Sequence, residues 1–452
     1  MAYRNEYKYK GGTRRVRESK RNKKLLRVAG WCVLCLFIGM FVTHLIFSVV
    51  AKVKRESAEL DAIGVPPVLT IQDQANSEQM SAIFYDGSLS DSYQIDSFIA
   101  FVKSKGMNTV VLDLKPESGI LGYKSKVALA KKMLAVPEGA VELESITLKF
   151  KNADIKLIAR LSVCADDIYA LANPSKAARE AITVKVPVES SEDSEGQEGE
   201  IREEIQLTDQ LWLDSEKHAW GSPYDEKHRE YICELISEIT AAGVDSILID
   251  NVFFPSVGDG NDGEAAFDKE EESDVPRAGI VRTNVSFYKS AALSGGARLF
   301  VAVDARAACG EQDQVAGTTF NVFELDADGI CPVCMPSELT KDGITSIADY
   351  SFESAESADI AQLYAALIDR IKLIQGAIDE PPAFIPIVQA YTDTSVAAAS
   401  RREWTQADLA AELAELEKQR INGKLLYGTQ EDYELLIPQP VLPESSVASD
   451  IE

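Results

Sequence analysis

Carboxylates recur at the ends of short apolar runs in this chain. Asp86 closes SAIFYD, Asp113 and Glu117 fall in VVLDLKPESG, Asp250 ends SILID, Asp304 ends RLFVAVD, and Asp393 follows IPIVQAYT. A pair of carboxyl groups, one protonated to assist a departing oxygen and one ionised to attack or to activate water, is what glycoside hydrolysis requires. Taken singly, each of these acids could equally cap a helix or pair with Arg160. Several converging on one mouth favour chemistry. Other reaction classes lack parts: with only His44, His218 and His228 and no G-x-S-x-G, a Ser-His-Asp hydrolase and a His-rich metal centre are poorly supplied. No phosphate-cradling glycine motif is present, so neither a nucleotide cofactor nor any other cofactor is expected. The Cys331-Pro-Val-Cys334 stretch has the spacing of a redox or zinc motif, but it lies in an apolar run that reads as a strand. There, residues three apart face opposite ways, and no metal is expected.

The elements that carry these acids alternate regularly. Strand-like runs at 81–87, 109–115, 155–161, 246–255, 298–305, 328–337, 383–391 and 424–430 are separated by helical patterns. Examples are Ile95, Phe98, Ile99 and Val102, the stretches 225–242 and 406–421, and Ile360 to Ile374. Eight buried strands alternating with helices over some 350 residues predict a (β/α)8 barrel, in which every strand's C-terminal end borders one shared mouth. The barrel is expected over 81–433. Acidic insertions near 187–210 and 256–277 read as solvated loops without the ligand spacing of an EF-hand, and 434–452 reads as a loose tail, leaving no obvious helix after the eighth strand.

Several segments also carry a family resemblance. VVLDLKPESGILGY, KLIARL, WLDSEKHAWGSPY, DSILIDNVFFP, ICPVCMPS and FIPIVQAY occur in the order and spacing of a bacterial family named "putative glycoside hydrolase", whose barrel is akin to the α-amylase group. The resemblance covers about 81–430. It implies that Asp250 stands where amylase-type barrels place their nucleophile and Asp304 where they place the acid/base. Asp113, Lys115, Arg160, Trp220 and Gln389 would shape the sugar subsite, with Trp220 as a stacking platform. Three positions depart from the pattern: Phe253 replaces the usual Arg before Phe-Pro, Asn251 replaces an aromatic, and Asp304 is one methylene shorter than the usual Glu. The expected activity is hydrolysis of O-glycosyl bonds in a polysaccharide or cell-envelope glycan. The alternative is a non-catalytic glycan-binding or envelope-scaffold barrel.

The N-terminal part differs from the rest. Residues 1–55 hold 14 Lys/Arg against Glu6 and Glu18, so the remainder carries −38 within a total of −26. Val28 to Ala51 is an uncharged apolar run long enough to cross a bilayer, with eleven basic residues before it. This pattern predicts a basic cytoplasmic segment at 1–27, a transmembrane signal anchor at 28–51 in contact with the lipid bilayer, and a linker at 52–80. The protein would then be a single-pass membrane protein with its main domain extracytoplasmic. The excess of negative charge speaks against nucleic acid as a partner.

Overall fold

The computed structural model describes residues 80–187, 201–255, 265–267, 274–341, 346–347, 350–354, 356–395, 401–421 and 423–438. Its centre is a closed parallel barrel. The first three barrel strands are β1 (Met80–Tyr85), β2 (Thr109–Lys115) and β3 (Lys156–Ser162). An antiparallel hairpin, β4 (Arg179–Pro187) and β5 (Ile201–Leu211), then leaves the barrel, which resumes with β6 (Ser246–Asp250), β7 (Arg298–Asp304) and β8 (Gly329–Val333). A small two-stranded ribbon, β9 (Ser346–Ile347) and β10 (Tyr350–Ser351), lies outside. The seventh barrel strand comes in two pieces, β11 (Ala383–Phe384) beside β8 and β12 (Ile387–Gln389) beside β13 (Gly423–Tyr427), and β13 closes the ring against β1. Pro386 separates the two pieces because it has no N–H to give the ladder, while its carbonyl accepts from Leu425 N at 3.0 Å.

Alternation along the strands sorts side chains between two cores. Ala82 and Phe84, Val111, Ile158, Leu248, Phe300 and Ala302, Cys331 and Leu425 fill the barrel interior, while their sequence neighbours pack outward under the helices. Cys331 belongs to the inner cluster and Cys334 to the outer one, so the strand keeps the two sulfurs in separate layers, as the three-residue spacing predicts. The helical layer comprises α1 (Ser92–Ser104), α2 (Ala128–Lys132), α3 (Leu143–Asn152), α4 (Asp167–Ala172), α5 (Glu226–Ala241), α6 (Arg277–Ser294), α7 (Ala305–Ala308), α8 (Pro336–Lys341), α9 (Ile360–Gln375), α10 (Gln406–Lys418) and α11 (Gln430–Leu436). Acidic or hydroxyl caps begin many of them: Asp91 caps α1, Asp225 caps α5, Asp359 caps α9, and Thr405 with Asp408 forms a capping box on α10.

Several expectations are corrected. The chain after the eighth strand forms α11, started by a second capping box of Thr429 and Asp432. The first acidic insertion is flanked by a paired hairpin, Arg179 to Pro187 against Ile201 to Leu211, in place of an open loop. The barrel is present, but the membrane-spanning helix expected before it has no counterpart among the described residues, where no helix is long and apolar enough to cross a membrane. Residues 28–51, on which that expectation fell, lie outside the described residues. The membrane-anchored function, the lipid-bilayer partner and the single-pass extracytoplasmic location therefore have no spanning helix among the described residues to rest on.

Candidate functional site

The inward-facing set continues past the barrel core to the strands' C-terminal ends, where it turns polar. Two residues beyond Val111, Ile158, Leu248 and Ala302 stand Asp113, Arg160, Asp250 and Asp304. Arg160 is the hub. Its Nε and Nη2 donate to Asp250 Oδ2 at 3.0 and 2.8 Å, its Nη1 donates to Asp113 Oδ2 at 3.0 Å, and its Nη2 also pairs with Glu117. One guanidinium, 12% exposed, therefore serves three carboxylates that are 26–35% exposed.

Their environments push these acids apart. Burial raises the Asp113 carboxyl; Arg160 pulls it back, but burial together with the repulsion of Glu117 and Asp250 wins and leaves it above its ordinary value. Among the described residues Asp113 Oδ1 is buried with no hydrogen-bond partner, so nothing at that oxygen offsets the cost of burying its charge. Glu117 goes the other way: burial pushes it up, but the charge and hydrogen bond of Arg160 outweigh burial and hold it below its ordinary value.

Asn251 fixes the far side of Asp250. Its backbone is left-handed, with φ of 50°, a conformation that costs a non-glycine residue of order 1 kcal/mol and is retained where other contacts enforce it. Those contacts are visible: Asn251 N donates to Asp250 Oδ1 at 2.8 Å, while Nδ2 donates to Glu117 Oε1 at 3.1 Å and to Ser162 Oγ at 2.9 Å. The residue that breaks the family pattern thus ties Asp250, Glu117 and β3 together.

Asp304 sits differently. It is 49% exposed, caps the short α7, and both its oxygens accept from the Arg306 guanidinium at 2.8 to 3.2 Å. Asp250 and Asp304 nevertheless line one cavity of about 860 Å³, together with Trp220, Phe253 and Arg306. Continuing the β6–β7 register one place past Ile249 and Val301 sets Asp250 beside Ala302, with Asp304 two residues beyond. Strand spacing and rise then separate the two Cα atoms by about 8 Å.

The other expected subsite residues are placed as follows. Trp220 lines the cavity but is largely buried, its Nε1 donating to Asp214 Oδ2 at 2.8 Å. Lys115 is wholly enclosed: it pairs with Asp166 Oδ2 at 2.8 Å and donates to the Ser162 carbonyl, holding the loop after β3. Gly119, with φ of 76°, lets the β2 loop close over that pair, since a Cβ there would lie 2.1 Å from Asp166 Oδ1. Gln389 is buried and committed: Oε1 accepts from Ser337 N and Oγ at 3.0 and 2.9 Å, and Nε2 donates to the Tyr391 carbonyl at 3.0 Å. Asp393 folds onto Ser395, accepting from its N and Oγ, and Asp86 is exposed at the rim.

Two residues that the sequence did not single out belong to the mouth. Arg306 binds Asp304, and its place two residues after that acid at a strand end was the available signal. Tyr427 ends β13 on the inward-facing parity of Leu425, so the alternation of KLLY carried it. Its ring is 42% exposed, is held edge-on by Phe84 and Tyr391 at 4.9 and 5.7 Å between centroids, and lies within the electrostatic reach of Arg160, Asp113, Glu117 and Asp250. Among the described residues, no group of His, Cys, Asp and Glu is arranged to hold a metal ion.

No curated protein sequence matches the chain significantly. Among solved structures, the glycoside hydrolase domain of PgaB (BpsB) from Bordetella bronchiseptica is similar with a TM-score of 0.50 at 13% identity, covering 78% of this chain and 94% of that one. A hypothetical protein from Ruminiclostridium thermocellum gives 0.37 at 17% identity over 49% of this chain and 96% of that one. The catalytic domain of a beta-amylase from Paenibacillus polymyxa gives 0.43 at 10% identity over 77% and 92%. At 13% identity the likeness to the PgaB (BpsB) domain speaks for fold alone. The sequence family is more specific: its model, described as "Putative glycosyl hydrolase domain", matches residues 82–186 and 191–433, and the chain belongs to that family.

Proposed function

We propose that the barrel mouth hydrolyses glycosidic bonds in a glycan. The observation that carries this reading is that Asp250 and Asp304, inward-facing ends of adjacent strands, line one cavity of about 860 Å³. Their Cα separation of about 8 Å is compatible with the carboxyl separations of roughly 5–10 Å used by retaining and inverting enzymes. Asp250 would attack the anomeric carbon, or activate the water that does, as the bond to the departing oxygen breaks. Asp304, released when Arg306 swings off it and then protonated from solvent, would pass that proton to the departing oxygen. Arg160 and the Asn251 N–H hold both oxygens of Asp250, so the attacking group is positioned before substrate arrives.

A second reading, glycan binding without turnover, is favoured by one specific observation: Arg306 occupies both oxygens of Asp304. The two readings separate on Asp250→Asn, which keeps size but removes the attacking charge. Against a panel of polysaccharides, turnover should collapse by several orders of magnitude while sugar binding survives. An active preparation in which Asp250→Asn keeps most of its kcat would refute the assignment. Binding without turnover by the wild-type chain would establish the second reading.

A further inference from the structure

The cavity is lopsided in charge. Its wall carries seven acidic side chains, Asp250 and Asp304 with Asp214, Glu216, Glu311, Asp313 and Glu338, and a single cation among the described residues, Arg306. Arg306 is already claimed by Asp304. Asp250 shares Arg160 with Asp113 and Glu117, so one positive charge is divided among three acids, of which Asp250 lines the cavity. Asp214 takes its bonds from the Trp220 indole and from the N–H groups of Glu216 and His218, and Asp313 from those of Val315 and Ala316. Neutral donors of this kind satisfy the oxygens without cancelling their charge. Glu311 stands exposed on the rim. Like charges converging on a concave wall focus the field, attracting cations and repelling anions.

We propose that this cavity selects glycans carrying positively charged amino groups, hexosamine units with a free amine, and rejects chains of uronate or sulfated sugars. The inference rests on the glycan site proposed above and adds its substrate class. An ammonium group entering the cavity would meet carboxylates from Asp250 on the floor to Glu311 on the rim. A sugar carboxylate would meet the same groups as repulsion and lose its hydration without a partner.

Calorimetric titration of the full-length protein with three oligosaccharides of equal length tests this: a glucosamine oligomer, its N-acetylated counterpart and an oligogalacturonate. Mildly acidic buffer keeps the glucosamine amines protonated. The glucosamine oligomer should bind tightest and weaken several-fold as salt shortens the Debye length to about 8 Å. Glu311→Gln should weaken it about 1.5- to 5-fold while leaving the N-acetylated oligomer unchanged. Glu417→Gln is the control, because Glu417 is exposed on α10 where that helix runs down to the start of β13, at the opposite end of the barrel. Equal or tighter binding of the N-acetylated oligomer or the oligogalacturonate would overturn the charge selection and leave the glycan site standing. Equal weakening by Glu417→Gln would show adsorption to the acidic surface and overturn it too. Binding of none of the three would remove the glycan site itself, and this inference with it.

Discussion

Replacing Arg160 by Met keeps the stem of the side chain and removes the positive charge that the three mouth carboxylates share. Deleting one partner of a fully buried ion pair costs about 3–5 kcal/mol, whereas an exposed pair is worth about 0–1 kcal/mol. Arg160 is 12% exposed and its partners 26–35%, so the loss belongs between these limits. We expect about 2–3 kcal/mol at neutral pH. The pH dependence makes the prediction sharper. Glu117 is held below its ordinary value of 4.5, so the stability it supplies is present above that value and is lost as pH falls through its lower folded value. Asp113 is pushed above its ordinary value of 3.8, so it costs stability as pH rises, and losing Arg160 enlarges that cost. Both effects widen the gap between wild type and Arg160→Met as pH increases from about 4 to about 8. Urea unfolding at several pH values across that interval reads the gap directly. A gap below about 0.5 kcal/mol, or one independent of pH, would mean that water already screens these charges and that Arg160 is not the hub described.

Tyr427→Ala should weaken oligosaccharide binding about 2- to 12-fold, since one aromatic contact is worth about 0.5–1.5 kcal/mol, whereas Tyr427→Phe should stay near wild type. Equal losses in the two variants would assign the effect to the hydroxyl and not to the ring face. Glu412→Met on α10 should stabilise the protein by about 1–3 kcal/mol. Glu412 is fully enclosed, burial pushes its carboxyl well above its ordinary value although the nearby Tyr364 pulls it partly back, and among the described residues neither of its oxygens meets a well-formed hydrogen bond. A raised carboxyl favours folding below its unfolded value and loses that contribution as pH rises through the folded one, so the advantage of Glu412→Met should grow with pH. A thermal midpoint that falls, or a gain that does not depend on pH, would count against an uncompensated buried acid.

The barrel was legible because its strands are short apolar runs set between amphipathic helices: TVVLDLK coincides with β2, and RLFVAVD with β7. What escaped were features that depend on neighbours. AFIPIVQAY reads as one strand because its apolar pattern is unbroken, yet a proline without an N–H divides it into β11 and β12. The hairpin of REAITVKVP and IREEIQLTDQL has the period-two alternation of strands, but its density of charge resembles that of a loop. The capping box of Thr429 and Asp432 starts α11, a short helix whose pattern is cut off by the proline-rich stretch that follows Ile437.

The site shows the same division. Period-two alternation brought Asp113, Arg160, Asp250 and Asp304 to one mouth, since each lies two residues beyond a barrel-filling side chain. Alternation alone would send Lys115 there too. The β2–β3 register shifts between Asp113 and Lys115, so Asp113 pairs with Arg160 but Lys115 with Leu161, whose side chain packs in the outer core. That one-residue irregularity carries Lys115 out of the mouth and into its buried pair with Asp166. The division of one arginine among three acids is equally invisible in sequence, where Asp113, Glu117, Arg160 and Asp250 are separate events. It arises only when three adjacent strands set their ends side by side. Which way each carboxyl shifts is then decided by burial and by that shared cation, and the balance differs between Asp113, within β2, and Glu117, in the turn after it.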